Sequence, residues 1–287
     1  MRILIKRNIR LYFSDKASVF LSMLGALIAL ILVFLFLKAQ IVDSMVADSN
    51  GLIPARQAGQ LLDTWLIASA CVIASCTTGL GALNWFVQDR QSAAWRDFLV
   101  SPLPRWAITG GYLGCATLVS MLSSSLIYLA GTVYCLAVKI PLAWANILAG
   151  WGALLLSCLG FTAAMGFIVS WLRTSGAFTG VSVIVGVMFG FLSQTYATPS
   201  ALPPRVDDVL AALPFAQAAA LVRAPYTASV LASLPQSVSE ASAGQLGINL
   251  SIGASTLSPV VFVLVLAAMA VVGSLLAWQV IAHTVKG

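Results

Sequence analysis

Apolar stretches without a charged residue recur along the chain, and their length decides the reading. A helix needs about 20 apolar residues to cross roughly 30 Å of hydrocarbon. Six windows meet that demand, at 17–37, 64–87, 106–138, 140–172, 174–194 and within 256–282. The third and fourth are separated only by Lys139, with Pro141 close by to break the helix, which predicts an antiparallel pair joined by a short turn. The pattern predicts an all-α polytopic membrane protein, a single transmembrane domain over residues 1–287 with six spans.

Composition strengthens this picture. Hydrophobic residues make up 60% of the chain and charged residues 8%, and the mean hydropathy is +0.98, whereas a soluble domain carries about 25% charged residues. A disordered chain, a secreted disulfide scaffold and a water-soluble enzyme are thereby excluded. The formal charge of +6 would suggest nucleic acid in a soluble protein. Here no polar domain exists to display a basic face, so no nucleic-acid partner is expected and the charge reads as topology. With the N-terminus inside, the inside segments hold Arg2, Lys6, Arg7, Arg10, Lys16, Arg90, Arg96, Arg105, Arg173 and Lys286 against Asp15, Asp89 and Asp97, a net of +7. The outside segments hold Lys38, Arg56, Lys139, Arg205 and Arg223 against Asp43, Asp48, Asp63, Asp207, Asp208 and Glu240, a net of −1. Both termini are therefore expected in the cytoplasm, an asymmetry that an odd number of spans would spoil. The first apolar run exceeds the 7–15 residues of a signal-peptide core and no A-x-A site ends it, so it reads as a retained span.

What the windows lack narrows the chemistry. No Asp, Glu, Lys, Arg or His lies well inside any of them, whereas ion-coupled transporters and voltage sensors handle charge within the bundle. The sole histidine, His283, stands near the carboxyl end, and no H-E-x-x-H, G-x-S-x-G or G-x-x-x-x-G-K-[ST] motif occurs. Metal and nucleophilic catalysis thus lack their groups, and no loop cradles a phosphate. Cys71, Cys76, Cys115, Cys135 and Cys158 fall in or at the ends of apolar windows without C-x-x-C spacing, which points to burial.

Three polar segments carry signals. Residues 1–16 form an amphipathic pattern, with Arg2, Lys6, Arg7 and Arg10 on one arc and Leu4, Ile5, Ile9, Leu11 and Tyr12 opposite. Such a helix lies in the membrane interface, held by its apolar face and by anionic lipid; the plainer reading is a positively charged anchor for the first span. The inside loop 88–105 places Asp89 where a helix should start and Ser101-Pro102-Leu103-Pro104 where it should stop. Within it Trp95, Phe98 and Leu99 make one apolar ridge flanked by Arg90 and Arg96, suited either to a partner's groove or to the bilayer surface. The external stretch 195–255 opens with Pro199, Pro203 and Pro204. Asp207 and Asp208 then precede an apolar run ending at Arg223 and broken by Pro214. Two half-helices too short to span are expected, with Arg223 at a helix end, followed by a loop or weakly ordered cap from Ala228 to Ser255. Gly110/Gly114, Gly176/Gly180 and Gly186/Gly190 have the small-xxx-small spacing of close helix contacts, within one subunit or between two. Thr77, Thr78, Asn84 and Ser123–Ser125 are candidates for lining a path, the alternative being hydrogen bonds to backbone.

Taken together, the basic N-terminal helix K-R-N-I-R-L-Y-F-S-D-K (Lys6 to Lys16), the six spans, the loop ending L-V-S-P-L-P-R (Leu99 to Arg105) and the long segment before the last span resemble the ABC-2 type permeases. These are membrane subunits of ATP-binding-cassette exporters. The resemblance implies a non-catalytic subunit with no cofactor of its own, ATP and magnesium being held by a separate cytoplasmic ATPase. It implies that the 88–105 loop is the coupling helix, with Asp89, Arg90, Trp95, Arg96, Phe98 and Leu99 as the docking residues. It also implies that the external segment around Pro214, Phe215 and Arg223 closes the exit, and that a second permease subunit completes the pathway. In a bacterial cell membrane such a protein would export a hydrophobic or amphipathic cargo, a drug, an antimicrobial peptide or a lipid-linked molecule. The alternative is an ATP-independent channel or an immunity-type membrane protein.

Overall fold

The computed structural model describes residues 1–17, 19–20, 31, 35, 38–49, 52–92, 104–253 and 255–284. Most of the 17–37 window lies outside the described residues, as do Trp95, Arg96, Phe98 and Leu99. Among the described residues the helices are α1 (Arg2–Ser14), α2 (Lys38–Asp48), α3 (Ala55–Ala82), α4 (Asn84–Gln91), α5 (Arg105–Ala137), α6 (Trp144–Ser170), α7 (Ser175–Leu192), α8 (Pro204–Ala212), α9 (Pro214–Leu231), α10 (Gln236–Gln245) and α11 (Pro259–Thr284). A short antiparallel pair, β1 (Ser251–Ile252) and β2 (Ser255–Thr256), precedes α11.

Five described segments are long and apolar enough to cross a bilayer: α3 with α4, α5, α6, α7 and α11. They are not equivalent. Every residue of α3 from Leu61 to Cys76 is buried, so α3 is the centre of the bundle, with α5, α6 and α9 packed around it. The helices α7 and α11 instead show most of their surface. Val183, Ile184 and Val187 on α7, and Val260, Leu264 and Val271 on α11, are all exposed. Such a continuous apolar exterior suits hydrocarbon and would aggregate in water.

The connections show why the helices stop where they do. Between α5 and α6, Lys139 takes a left-handed conformation (φ 60°) while Ile140 N–H donates to Cys135 O and Lys139 N–H to Leu136 O, a Schellman ending built without glycine. The same motif ends α7 at Gln194 (φ 54°) and α10 at Gly247 (φ 59°). The start of α7 is capped by the Thr174 hydroxyl, which accepts from Ala177 N–H. The chain is extended at Leu213 (φ −82°, ψ 145°) and Pro214 opens α9 at a first-turn position that requires no N–H, so α8 and α9 meet at 82°.

Two expectations are corrected. The stretch 228–255 is not a loosely ordered cap: α9 runs on to Leu231, α10 follows, and Val238, Leu246, Ile248 and Leu250 are buried against the bundle. Its Ser, Ala and Gly content allows close packing here. Nor does Arg223 end a helix. Two more turns follow it, passing through Pro225, so it sits in the body of α9.

Candidate functional site

Asp89 does not open a helix, as the loop's pattern suggested; it lies in the last turn of α4, which ends at Ser92. A carboxylate there faces the negative end of the helix, so other groups must hold it. The Arg7 guanidinium of α1 grips it with both amino groups, Nη1 to Oδ2 at 2.7 Å and Nη2 to Oδ1 at 2.9 Å, and Tyr112 Oη of α5 donates to Oδ2 at 2.5 Å. Asp89 is 6% exposed. Its hydrogen bond and charge hold the Arg7 guanidinium above its ordinary range, against the opposing effect of partial burial. The fork geometry that arginine alone provides is used in full.

The next two residues extend the junction. Arg90 Nη1 donates to Ser170 O at 2.7 Å and Leu172 O at 3.3 Å, satisfying carbonyls left over at the end of α6, while its guanidinium stands 5.4 Å from the Phe86 ring centroid. Ser175 Oγ, at the start of α7, donates to Gln91 Oε1 at 2.5 Å. Three consecutive side chains at the base of the 88–105 loop therefore tie α4 to α1, α5, α6 and α7. Asp89 and Arg90, expected among the docking residues, are instead turned into the chain.

Of the four cations expected on the interfacial helix, Arg2, Lys6 and Arg10 are exposed, while Arg7 is committed to Asp89. The buried side of α1 is Leu4, Asn8 and Tyr12, one residue per turn. It sits on a glycine strip of α5: a Cβ at Gly111 would collide with Leu4, one at Gly110 would stand 3.1 Å from Met1 Sδ, and one at Gly114 3.1 Å from Ile5 Cδ1. The Gly110/Gly114 spacing thus serves contact within the chain. Gly190 likewise abuts the Tyr196 ring, whereas Gly176, Gly180 and Gly186 face open space.

A second cluster surrounds Arg223, which is fully buried. Its Nε donates to Ser69 Oγ of α3 at 2.8 Å and its Nη2 to Thr195 Oγ1 at 2.8 Å, while Nη1 lies 3.5 Å from Leu246 O. The guanidinium stacks 4.7 Å from the Trp65 ring centroid, and Trp65 Nε1 itself donates to Leu246 O at 2.7 Å. Among the described residues no carboxylate forms an ion pair with Arg223; neutral acceptors and an aromatic face hold the charge. This one side chain fastens α9 to α3, to the turn after α7 and to the end of α10. Phe215, near the start of α9, stacks on Phe161 of α6 and meets Phe189 of α7 edge-on. Phe215 and Arg223 thus fasten α9 to its neighbours at two separate points, two turns apart.

The candidate path residues are placed differently. Thr77 and Thr78 hydroxyls donate to Ile73 O and Ala74 O of their own helix, the backbone alternative left open by the sequence. Asn84 is half-buried at the start of α4. All five cysteines are buried and free.

Sequence reasoning missed Tyr112, Trp65, Ser69 and Thr195. Each meets its partner across a long separation, 23 residues for Tyr112–Asp89 and 154 for Ser69–Arg223, which no local period records. Arg223 itself carried a signal, an arginine enclosed by the apolar run A-A-A-L-V-R-A-P-Y.

A family model for ABC-2 type transporters matches residues 1–226, from α1 into α9, and takes in the Asp89 junction and Arg223 itself. The chain belongs to the ABC-2 type transporter family. It is a membrane subunit of an ABC transporter, and membership implies partnership with an ABC ATPase. Among individual curated proteins the search gives no match.

Proposed function

We propose that this ABC-2 permease is one half of a dimeric exporter, and that the base of its 88–105 loop hands the movement of a cytoplasmic ATPase to the membrane helices. The observation carrying this reading is the junction at Asp89, Arg90 and Gln91, where the exit of the central helix is tied to α1, α5, α6 and α7 at once. A push on the loop cannot move α4 without moving these elements. Trp95, Phe98 and Leu99 then serve as the docking ridge with Arg96 beside it, and Asp89 and Arg90 transmit instead of touching the ATPase. ATP and magnesium belong to that partner. Both termini lie in the cytoplasm of a bacterial cell, and the α8–α9 corner with Pro214, Phe215 and Arg223 closes the outer end of the pathway.

Cargo moves outward by alternation between two states whose balance the ATPase shifts. Spans without ionisable groups favour a hydrophobic or amphipathic cargo, such as a drug, an antimicrobial peptide or a lipid-linked molecule. The open glycine face of α7 supports a second permease subunit across it.

The test separates docking from transmission. In membranes co-expressing the ATPase, Trp95→Asp or Phe98→Asp should abolish co-purification of the two subunits. Asp89→Asn should leave them associated while transport falls by tenfold or more, about 1.4 kcal/mol of lost coupling. Uptake of substrate into vesicles containing the purified permease alone, without nucleotide, would overturn the proposal in favour of a channel.

A further inference from the structure

A cavity of about 510 Å³ lies between α6, α9, α11 and the segment carrying the β-hairpin. It arises because α6 and α11 meet closely at one end and part at the other. At the close end a Cβ on Gly273 would stand 2.8 Å from the Ala163 backbone, and one on Gly160 2.8 Å from Met269 Cε. Toward Trp144 and Pro259 the two helices are separated, and α9 fills only part of the gap because the facing walls are small: Ala149, Gly152 and Ala153 on α6, Ala220 and Ala224 on α9. Gly152 stands exposed at the rim of the cavity, and outside its own helix no heavy atom lies within 4 Å of the position its Cβ would take.

The chemistry of the walls selects an occupant. Leu156, Leu221, Phe262 and Val263 complete an apolar lining, with the exposed Asn249 as its polar neighbour. Water gains no partners in such a space and stays out, while an empty void forfeits the dispersion contacts of everything lining it. Its volume falls within the roughly 300–1,000 Å³ of cavities that hold small ligands. Leu148 (64% exposed), Val260 (64%) and Val263 (42%) flank it on the outer surface of the same two helices. In a bilayer those residues face acyl chains, the apolar species present there at the highest concentration.

We propose that this cavity holds one alkyl chain of a membrane phospholipid, inserted from the bilayer alongside α6 and α11. An unbranched, flexible chain suits walls of alanine and glycine better than a rigid ring system does. The inference is independent of the transport reading, since it requires only that the chain lie in a bilayer.

The test uses the full chain in nanodiscs of phosphatidylcholine doped with phosphatidylcholine that carries a photoreactive diazirine midway along one acyl chain. After irradiation, adducts are mapped by mass spectrometry. The informative position is Phe262, which lines the cavity and is only 3% exposed. The expected result is an adduct at Phe262 that falls several-fold in Gly152→Phe, which fills the void, and persists in Gly152→Ala, which adds only a Cβ in open space. Adducts on exposed Val271 and Leu275 of α11 should be equal in all three proteins. Ala224→Leu, from the opposite wall, should repeat the loss, which keeps the test valid if Gly152→Phe fails to fold. Absence of an adduct at Phe262 in the wild type overturns the proposal, as does equal labelling in folded wild-type and filled variants.

Discussion

At the residue scale, Asp89 and Arg223, both buried, differ in how their charge is held. Asp89 meets a formal countercharge in Arg7 and a phenol in Tyr112, so its three hydrogen bonds act as a unit. Removing either Arg7 or Asp89 should cost nearly as much as removing both. A double-mutant cycle with Arg7→Ala and Asp89→Ala, read by thermal or denaturant unfolding in detergent, is expected to give a coupling on the order of 1–2 kcal/mol. The low end applies if the exposed third of the Arg7 side chain lets water screen the pair. Among the described residues Arg223 has no such counterion, and its worth lies in geometry, one planar group reaching Ser69, Thr195 and the Trp65 face together. Lysine keeps the charge and loses the fork. Arg223→Lys should therefore destabilise the protein by roughly 2–3 kcal/mol, since a lost hydrogen bond to a charged group costs about 1.5–3 kcal/mol. A variant as stable as the wild type would show that charge alone fastens the corner.

At the scale of elements, α1 is held by shape as well as charge. Met1, Leu4 and Ile5 at its start lie in a trough made by Gly110, Gly111 and Gly114 of α5, and Asn8 and Tyr12 continue the buried edge. Gly111→Val places a branched side chain where Leu4 sits, and should lift α1 from α5 without touching the Arg7–Asp89 pair directly. A reporter cysteine at position 8, where Asn8 is 1% exposed, should change from protected to readily labelled in that background. Unchanged protection would mean that the ion pair suffices to seat the helix. This element also shows what could be read from the chain alone. The period of its apolar residues was visible, because it repeats every turn, and so were the long windows and the Pro214 break. The identity of the surface beneath it was not, because the glycine strip of α5 reads equally as a contact with another subunit. The same limit explains the residues after Ala228. Small residues promise flexibility when nothing covers them, yet α10 forms because Val238 and Ala243 within it and Leu246 at its end are buried. Arg223 was misread for a related reason. A cation suits the negative end of a helix, which suggested an end at Arg223, although the bundle around α9 carries the helix two turns further, through Pro225.

At the scale of the molecule, two carboxylate junctions stand near opposite ends of α5, Asp89 at Tyr112 and Asp63 at Tyr134, the latter also paired with Lys38 at 2.5 Å. Twenty-two residues of continuous helix separate the tyrosines, about 33 Å at 1.5 Å per residue, close to the roughly 30 Å of a hydrocarbon core. This spacing fits paired charges at the two faces of a bilayer and predicts which loops share a side. The Asp89 junction lies with the base of the 88–105 loop. Of the exposed positions, Ser92 should therefore lie on the same side as α1, and Glu240 across the membrane from it. With all five native cysteines buried, a cysteine-free background costs little surface chemistry and makes single reporters clean. In intact cells an impermeant maleimide should label Glu240→Cys and spare Ser92→Cys, and lysis should expose the latter. The reverse pattern would put the loop on the side where no ATP is available, and the coupling proposed for Asp89, Arg90 and Gln91 would have no engine to drive it. Labelling of both in intact cells would break the link between the tyrosine spacing and the bilayer, and with it the assignment of α5 as a full span.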